Sequence, residues 1–438
     1  MRSAFKKLIL LSILSFVLSG NAFADDYSDY IMEGNLNYKN KDYKKAAKAY
    51  ENAVKLANDN VNAYYNLGLT YRHLKDFHSS ISSFNKFLSG ATDKKMITAA
   101  KKLLTQMEND LGKPTTAGRL KHYEVWEGWI LIDGDVVVPK DMVLTIKPGS
   151  LVMFSPLTSR YDAKIPYLKG EETSNFASLI IHGSLIVEGE KDNEVLFANS
   201  FEDVTTKKIG LWGGIIFDGS DSSLVQYAKI ERAVNGIVIK SKPDLTLSNN
   251  VFMKNDLSIK VIDDSPVSIE NNIFYRNETG IEFSDKSIAN VIYSNFTKNN
   301  YAIKVLDKST PKLSNNTFDD NNCSICTYEE SNPSIFDSTF LNGKFAISMT
   351  GNSKASISYN NFKKNKIGVN SVHNSKPKIE ENTFSGQVIS GINAIDNSMA
   401  FIRGNTFIKN KTAIIKVISV QENNNKFDSN TEDVKEME

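Results

Sequence analysis

From Ala228 onward the apolar positions return on a fixed count. Phe252, Phe274, Phe296, Phe318, Phe340, Phe362 and Phe384 are each 22 residues apart, and Phe407 and Phe427 follow after 23 and 20. Five residues before the first eight of these stand Leu247, Ile269, Val291, Leu313, Ile335, Ile357, Ile379 and Ile402, and a third column, Ile237, Ile259, Ile281, Ile303, Ile325, Ile347, Val369, Ile392 and Ile414, keeps the same register. Within a repeat the apolar residues alternate, as in Ile237 with Ile239 and Ile303 with Val305, which is the period of a strand with one face inward. A period this short, made of strands, predicts a solenoid in which each coil lies on the next and buries what one coil alone could not.

The polar positions hold the same count. Two residues before each Phe lies Asn250, Asn272, Ser294, Asn316, Ser338, Asn360, Asn382, Asn405 or Asn425. Asn tolerates the left-handed backbone of a tight corner, and stacked side-chain amides can hydrogen-bond from coil to coil, so this column is read as a structural ladder with the Phe column filling the bore. Regular rungs are expected over 236–427 and less regular ones over 121–235, interrupted by two long loops, Ser155 to Ser178 and Asn199 to Leu211. The column should hold roughly 12 rungs at the strand spacing, with 428–438 as a polar tail.

Before the strands the period changes to that of helices. Gly34 and Gly68 are 34 residues apart, and Tyr30/Tyr64, Ala46/Ser80 and Tyr50/Phe84 recur at the same distance. A further amphipathic helix is expected from Asp93 to Leu111, apolar at Met96, Ala100, Leu103, Leu104, Met107 and Leu111, with Gly112 and Pro114 stopping it. This gives a helical domain over 25–112 and a short linker over 113–120.

The first 24 residues read as a cleavable export signal: Arg2, Lys6 and Lys7, an apolar run from Leu8 to Leu18, then Ala22-Phe23-Ala24. The expected location is therefore the periplasm or the medium, and no other stretch is apolar enough to span a membrane as a helix. The chain carries 52 Lys plus Arg against 51 Asp plus Glu, and a balance this even argues against nucleic acid as the partner. Its two cysteines, Cys323 and Cys326, lie three apart on a predicted strand, where about 10 Å of extended backbone separates them. They are expected to stay unbridged unless the strand bends.

The Asn-x-Phe repeat resembles the parallel β-helix repeats of the pectate-lyase-like superfamily over roughly two-thirds of the chain, which implies a right-handed, single-stranded parallel β-helix and a mixed, mainly β fold. The 34-residue recurrence resembles two tetratricopeptide repeats, although Asn58 stands where that family usually has Pro. In that family the first helix of each repeat lines a peptide groove. The resemblance carries this role to Asn35, Tyr38 and Lys39, and to Asn62, Asn66, Arg72 and His73. Asn35 and Asn66 match the asparagines of the carboxylate-clamp subtype, and Ile31 stands where its first lysine would be. The groove is open to a protein or peptide partner, or serves to dock the helices on the β-helix.

Candidate chemistry is sparse. The outward ladder Val238, Lys260, Glu282, Lys304, Cys326, Ser348, Asn370, Asn393, Ile415 has one carboxylate, whereas glycoside hydrolysis needs a pair. No catalytic residue is assigned. Asp263, Asp285, Asp307 and Glu329 stack in register, so that either Lys286 and Lys308 or a hard divalent cation such as calcium must offset their repulsion. His182 and His373 have no His or Cys at ligand spacing. The loop residues Arg160, Asp162, Lys164, Glu171, Glu172, Glu202, Asp203, Lys207 and Lys208 are the remaining place where acids and bases could meet. Two functions follow as expectations: an exported, non-catalytic scaffold with a protein or peptide at its helices and a polysaccharide, envelope polymer or protein along its β-helix, or a polysaccharide-acting lyase, hydrolase or epimerase.

Overall fold

The structure, a computed structural model, describes residues 27–56, 61–111, 114–155, 176–199 and 211–437. The export signal, Asn58 and the charged loop residues from Arg160 to Glu172 and from Glu202 to Lys208 lie outside the described residues. Two compact units are present, one reaching to Pro114 and including Lys121–Glu124, the other made of Thr115–Leu120 and the chain from Val125 onward.

The first unit is helical: α1 over 27–39, α2 Tyr43–Leu56, α3 Val61–His73, α4 Phe77–Leu88 and α5 Lys94–Leu111. The 34-residue recurrence has a packing cause. A Cβ on Gly34 would run into the ring of Tyr50, and one on Gly68 would come within 3.1 Å of Phe84. Tyr50 and Phe84 are 2% and 0% exposed, so each glycine lets a buried ring approach the helix before it. The helix pairs turn at Lys41 and Lys75, both left-handed (φ 62° each), and the next residue caps the following helix. Asp42 Oδ1 accepts from the Lys45 N–H at 3.2 Å and Asp76 Oδ1 from the Ser79 N–H at 3.0 Å. Asp93 does the same for Met96 at 3.0 Å and starts α5, whose Ala100, Leu104 and Met107 close on Phe84 and Phe87.

The second unit is a parallel β-solenoid of three sheets with 14, 13 and 13 strands, each strand pairing with its counterpart one coil away. One coil runs Leu257–Val261 in the first sheet, Ser268–Glu270 in the second and Ile273–Tyr275 in the third. The extra length over the expected 12 rungs comes partly from two stretches read as non-strand. Gly118–Arg119, in the expected linker, pairs with Val136–Val137, and Glu432–Met437, in the expected tail, pairs with the strand Thr412–Val417. Backbone pairing decides both cases, since neither stretch has an apolar pattern.

Side chains line up inside the bore. From Phe252 to Phe427 successive rings stack with centroids 4.5–5.4 Å apart and planes within 13°. Phe252 through Phe407 are fully buried, each contributing about 1.5–3 kcal/mol by its removal from water. Strands of the first sheet do not alternate strictly. In Tyr301–Val305 the second and third residues both face inward, and the second position holds only small residues here and in neighbouring coils: Gly236, Ser258, Gly280, Ala302, Ser324, Ala346, Gly368, Gly391 and Ala413. A Cβ on Gly280 would lie 3.3 Å from the ring of Phe296. Two successive inward residues mark a bend in the strand, and the small second residue leaves room for the backbone of the next coil and for the ring.

Candidate functional site

The corner ladder works differently from its sequence reading. The left-handed residue is the one before each ladder position, Asn249, Asn271, Tyr293, Asn315, Asp337, Tyr359, Glu381, Gly404 or Asn424, with φ between 51° and 67°. The ladder residue itself turns inward and is nearly fully buried from Asn250 to Asn405. Its amide joins two adjacent coils: Asn272 Oδ1 accepts from the Asn250 N–H at 2.9 Å, while Asn272 Nδ2 donates to Leu247 O at 3.3 Å. Asn316, Asn360, Asn382 and Asn405 repeat this pattern. A second ladder, missed in the sequence, lies three residues after the Phe at Asn255, Asn277, Asn299, Asn321, Asn365, Gln387, Asn410 and Asn430, with Gly343 taking the place after Phe340. Its Oδ1 or Oε1 atoms accept from backbone N–H groups one coil away at 2.8–3.0 Å. The phrase Phe-x-x-Asn carried the signal. Both columns satisfy backbone groups that the corners would otherwise leave unpaired in the core.

The acidic column is also a corner. Asp263, Asp285, Asp307 and Glu329 all have positive φ, from 51° to 62°, a conformation Asp adopts more readily than most residues. The column is tied to backbone, the Asp285 N–H donating to Asp307 Oδ2 at 2.8 Å, while lysines beside it pair with the next residues along the chain: Lys242 Nζ meets Asp264 at 2.6 Å and Lys308 Nζ meets Glu330 at 3.4 Å. The Lys242 hydrogen bond holds the Asp264 carboxyl below the usual carboxylate range. Asp263, Asp264, Asp285, Lys286, Asp307 and Lys308 line a shallow open groove. Among the described residues no group of three or more His, Cys, Asp or Glu side chains is gathered as a metal ion would need. A backbone N–H faces the column, and Lys286 and Lys308 line the groove with it. His373 Nδ1 hydrogen-bonds Thr350 Oγ1 at 2.9 Å and His182 Nδ1 hydrogen-bonds Asp218 O at 3.2 Å.

In the helical unit, the sequence-derived groove residues fall into two sets. Tyr38 and His73 come together around Tyr43, which the sequence reading did not include. His73 stacks on Tyr43 at 4.5 Å with planes 2° apart, and Tyr38 meets both edge-on at 5.4 and 5.5 Å. Burial, then the Arg72 guanidinium, pushes the His73 imidazole below its ordinary value and favours the neutral ring. Asn35 is exposed, and its Oδ1 accepts from the Tyr50 hydroxyl at 2.7 Å. Burial, then Tyr38, pushes that hydroxyl up to about 12, so Tyr50 remains a donor. Lys39 and Asn62 are exposed, and Asn66 and Arg72 half-buried.

Cys323 and Cys326 form a disulfide, with Cα atoms 6.1 Å apart. The bend explains the departure from the extended-strand reading: Cys323 and Cys326 pair in register with Tyr301 and Lys304, the first and fourth residues of Tyr301–Val305 and its two less buried ones, so positions one and four share the outer face. Cys323 lies between Tyr301 and Phe345 in the neighbouring strands, and Cys326 between Lys304 and Ser348.

These features define the class: a right-handed parallel β-solenoid with an N-terminal tetratricopeptide region. A family model described as a right handed beta helix region matches residues 279–432, and one described as periplasmic copper-binding protein (NosD) matches 180–343. Models for the TPR repeat and the tetratricopeptide repeat match 34–73 and 61–89. A search of curated proteins gave no match. No helix among the described residues is long and apolar enough to cross a membrane.

Proposed function

We propose that this protein is a binding scaffold of the cell envelope, in which the helical unit recruits a protein or peptide and the β-solenoid presents long outer faces to an envelope polymer or a second protein. The observation that carries the reading is the cluster of Tyr38, Tyr43 and His73, with exposed Asn35 and Lys39 on the same helix as Tyr38. Aromatic faces with a few polar groups at their rim are what a short peptide needs for orientation and affinity. A periplasmic or secreted location fits the Cys323–Cys326 disulfide, since such bonds persist in oxidising compartments.

The test is to pan a displayed peptide library against the full chain. A consensus sequence should emerge whose binding is lost in the Asn66→Ala, Arg72→Glu double variant while the far-ultraviolet spectrum is kept. A consensus that binds the variant equally well removes the helical groove from the account.

A second reading, copper handling, has one observation in its favour. The family model that names copper spans the Cys323–Cys326 pair, and thiolates are soft donors of the type Cu(I) prefers.

A further inference from the structure

We propose that Cys323 and Cys326 form a redox-gated Cu(I) site on the outer face of the first sheet: closed as the disulfide, open as the dithiol. The inference rests on the copper reading and assigns it to particular atoms. The bend at Ser324 and Ile325 is what makes the site, because it places both sulfur-bearing side chains on one face with Cα atoms 6.1 Å apart. Cu(I) accepts two thiolates in near-linear coordination, whereas a divalent metal would look for three or four ligands, which the described residues do not gather.

The surroundings favour the ligating form. Tyr301 and Phe345 flank Cys323 in register, and each ring carries a lysine: Lys304 Nζ lies 4.3 Å from the Tyr301 ring centroid and Lys344 Nζ 5.2 Å from that of Phe345. Lys304 is also the register partner of Cys326. An ammonium group on the residue paired with Cys326 lowers the cost of a thiolate there and of the net negative charge on a bis-thiolate Cu(I) complex. The cysteines are 3% and 6% exposed.

The chemistry balances with a dithiol reductant. Attack by one of its thiolates breaks the Cys323–Cys326 bond through a mixed disulfide. Two electrons and two protons end on the pair, and the reductant leaves as a disulfide. Binding of Cu(I) then releases the two thiol protons, and exchange with a disulfide oxidant, which takes up two electrons and two protons and leaves as a dithiol, re-forms the Cys323–Cys326 bond and expels the ion still as Cu(I).

The experiment compares the full chain in its reduced and oxidised forms, under anaerobic conditions, for the ability to withdraw Cu(I) from its coloured bicinchoninate complex. The reduced chain should take about one equivalent, and the oxidised chain and the Cys323→Ser, Cys326→Ser variant about ten-fold less or none. Serine already occupies these two columns at Ser390 and Ser348, so the variant is expected to fold, with the far-ultraviolet spectrum as the check. Equal uptake by the double variant or by the oxidised chain overturns this site and leaves copper binding elsewhere. No uptake by any form overturns both the site and the copper reading.

Discussion

Asn299 shows what one residue of the second ladder does. Its Oδ1 accepts from both the backbone and the side chain of Asn277, at 2.9 and 3.0 Å, and its Nδ2 donates to Phe274 O at 3.0 Å. Asn299→Ala leaves a buried N–H and a buried C=O without partners, at a cost of roughly 2–4 kcal/mol. Urea unfolding should show that loss, and a change under 0.5 kcal/mol would mean that water replaces the amide. Asp135 is a case with the opposite sign. Its carboxyl is 8% exposed and accepts from the Ser178 N–H at 2.9 Å, and burial, opposed by that hydrogen bond, raises its pKa above the ordinary 3.8. The folded chain thus holds the proton more tightly than the unfolded chain, and stability falls as pH rises from about 3.8 through the folded value. Asp135→Asn keeps an acceptor for Ser178 and loses the charge. It should melt higher than the parent at neutral pH, by a margin that shrinks toward pH 3. A constant margin across that range would assign the effect to packing instead.

At the scale of the element, the sequence displayed the columns but not the path of the chain between them. Phe252 and Ile237 repeat as large apolar residues and are easy to see, whereas the bend in each first-sheet strand is encoded by Gly, Ser and Ala in turn, a column defined by smallness. That bend decides which residues share a face, so it alone separates a bridged Cys323–Cys326 pair from an unbridged one. The corner geometry was hidden for a similar reason. Tyr, Asp, Glu and Lys all occupy left-handed positions here, because the buried amide next to them holds the corner and the identity of the left-handed residue itself matters less. The register can be tested with two neighbours on one strand. Ile281 is fully buried and Glu282 half-exposed, so Ile281→Asp should abolish folding while Glu282→Gln stays within about 0.5 kcal/mol of the parent. Comparable losses in both would shift the assigned faces by one residue.

For the whole molecule, the two repeat periods, 34 and 22, were enough to separate a helical unit from a β-solenoid. The aromatic cluster proposed for recognition was only partly legible: family positions supplied Tyr38 and His73, but Tyr43 joins them from the following helix, and only the folded chain brings it there. Recognition is proposed to belong to this helical unit. Hydrogen exchange of the full chain with and without the panned consensus peptide tests it most directly. The account predicts new protection confined to 27–39, Tyr43–Leu56 and Val61–His73, with the rungs over 236–427 unchanged. Protection along the rungs, with none in the helices, would contradict it.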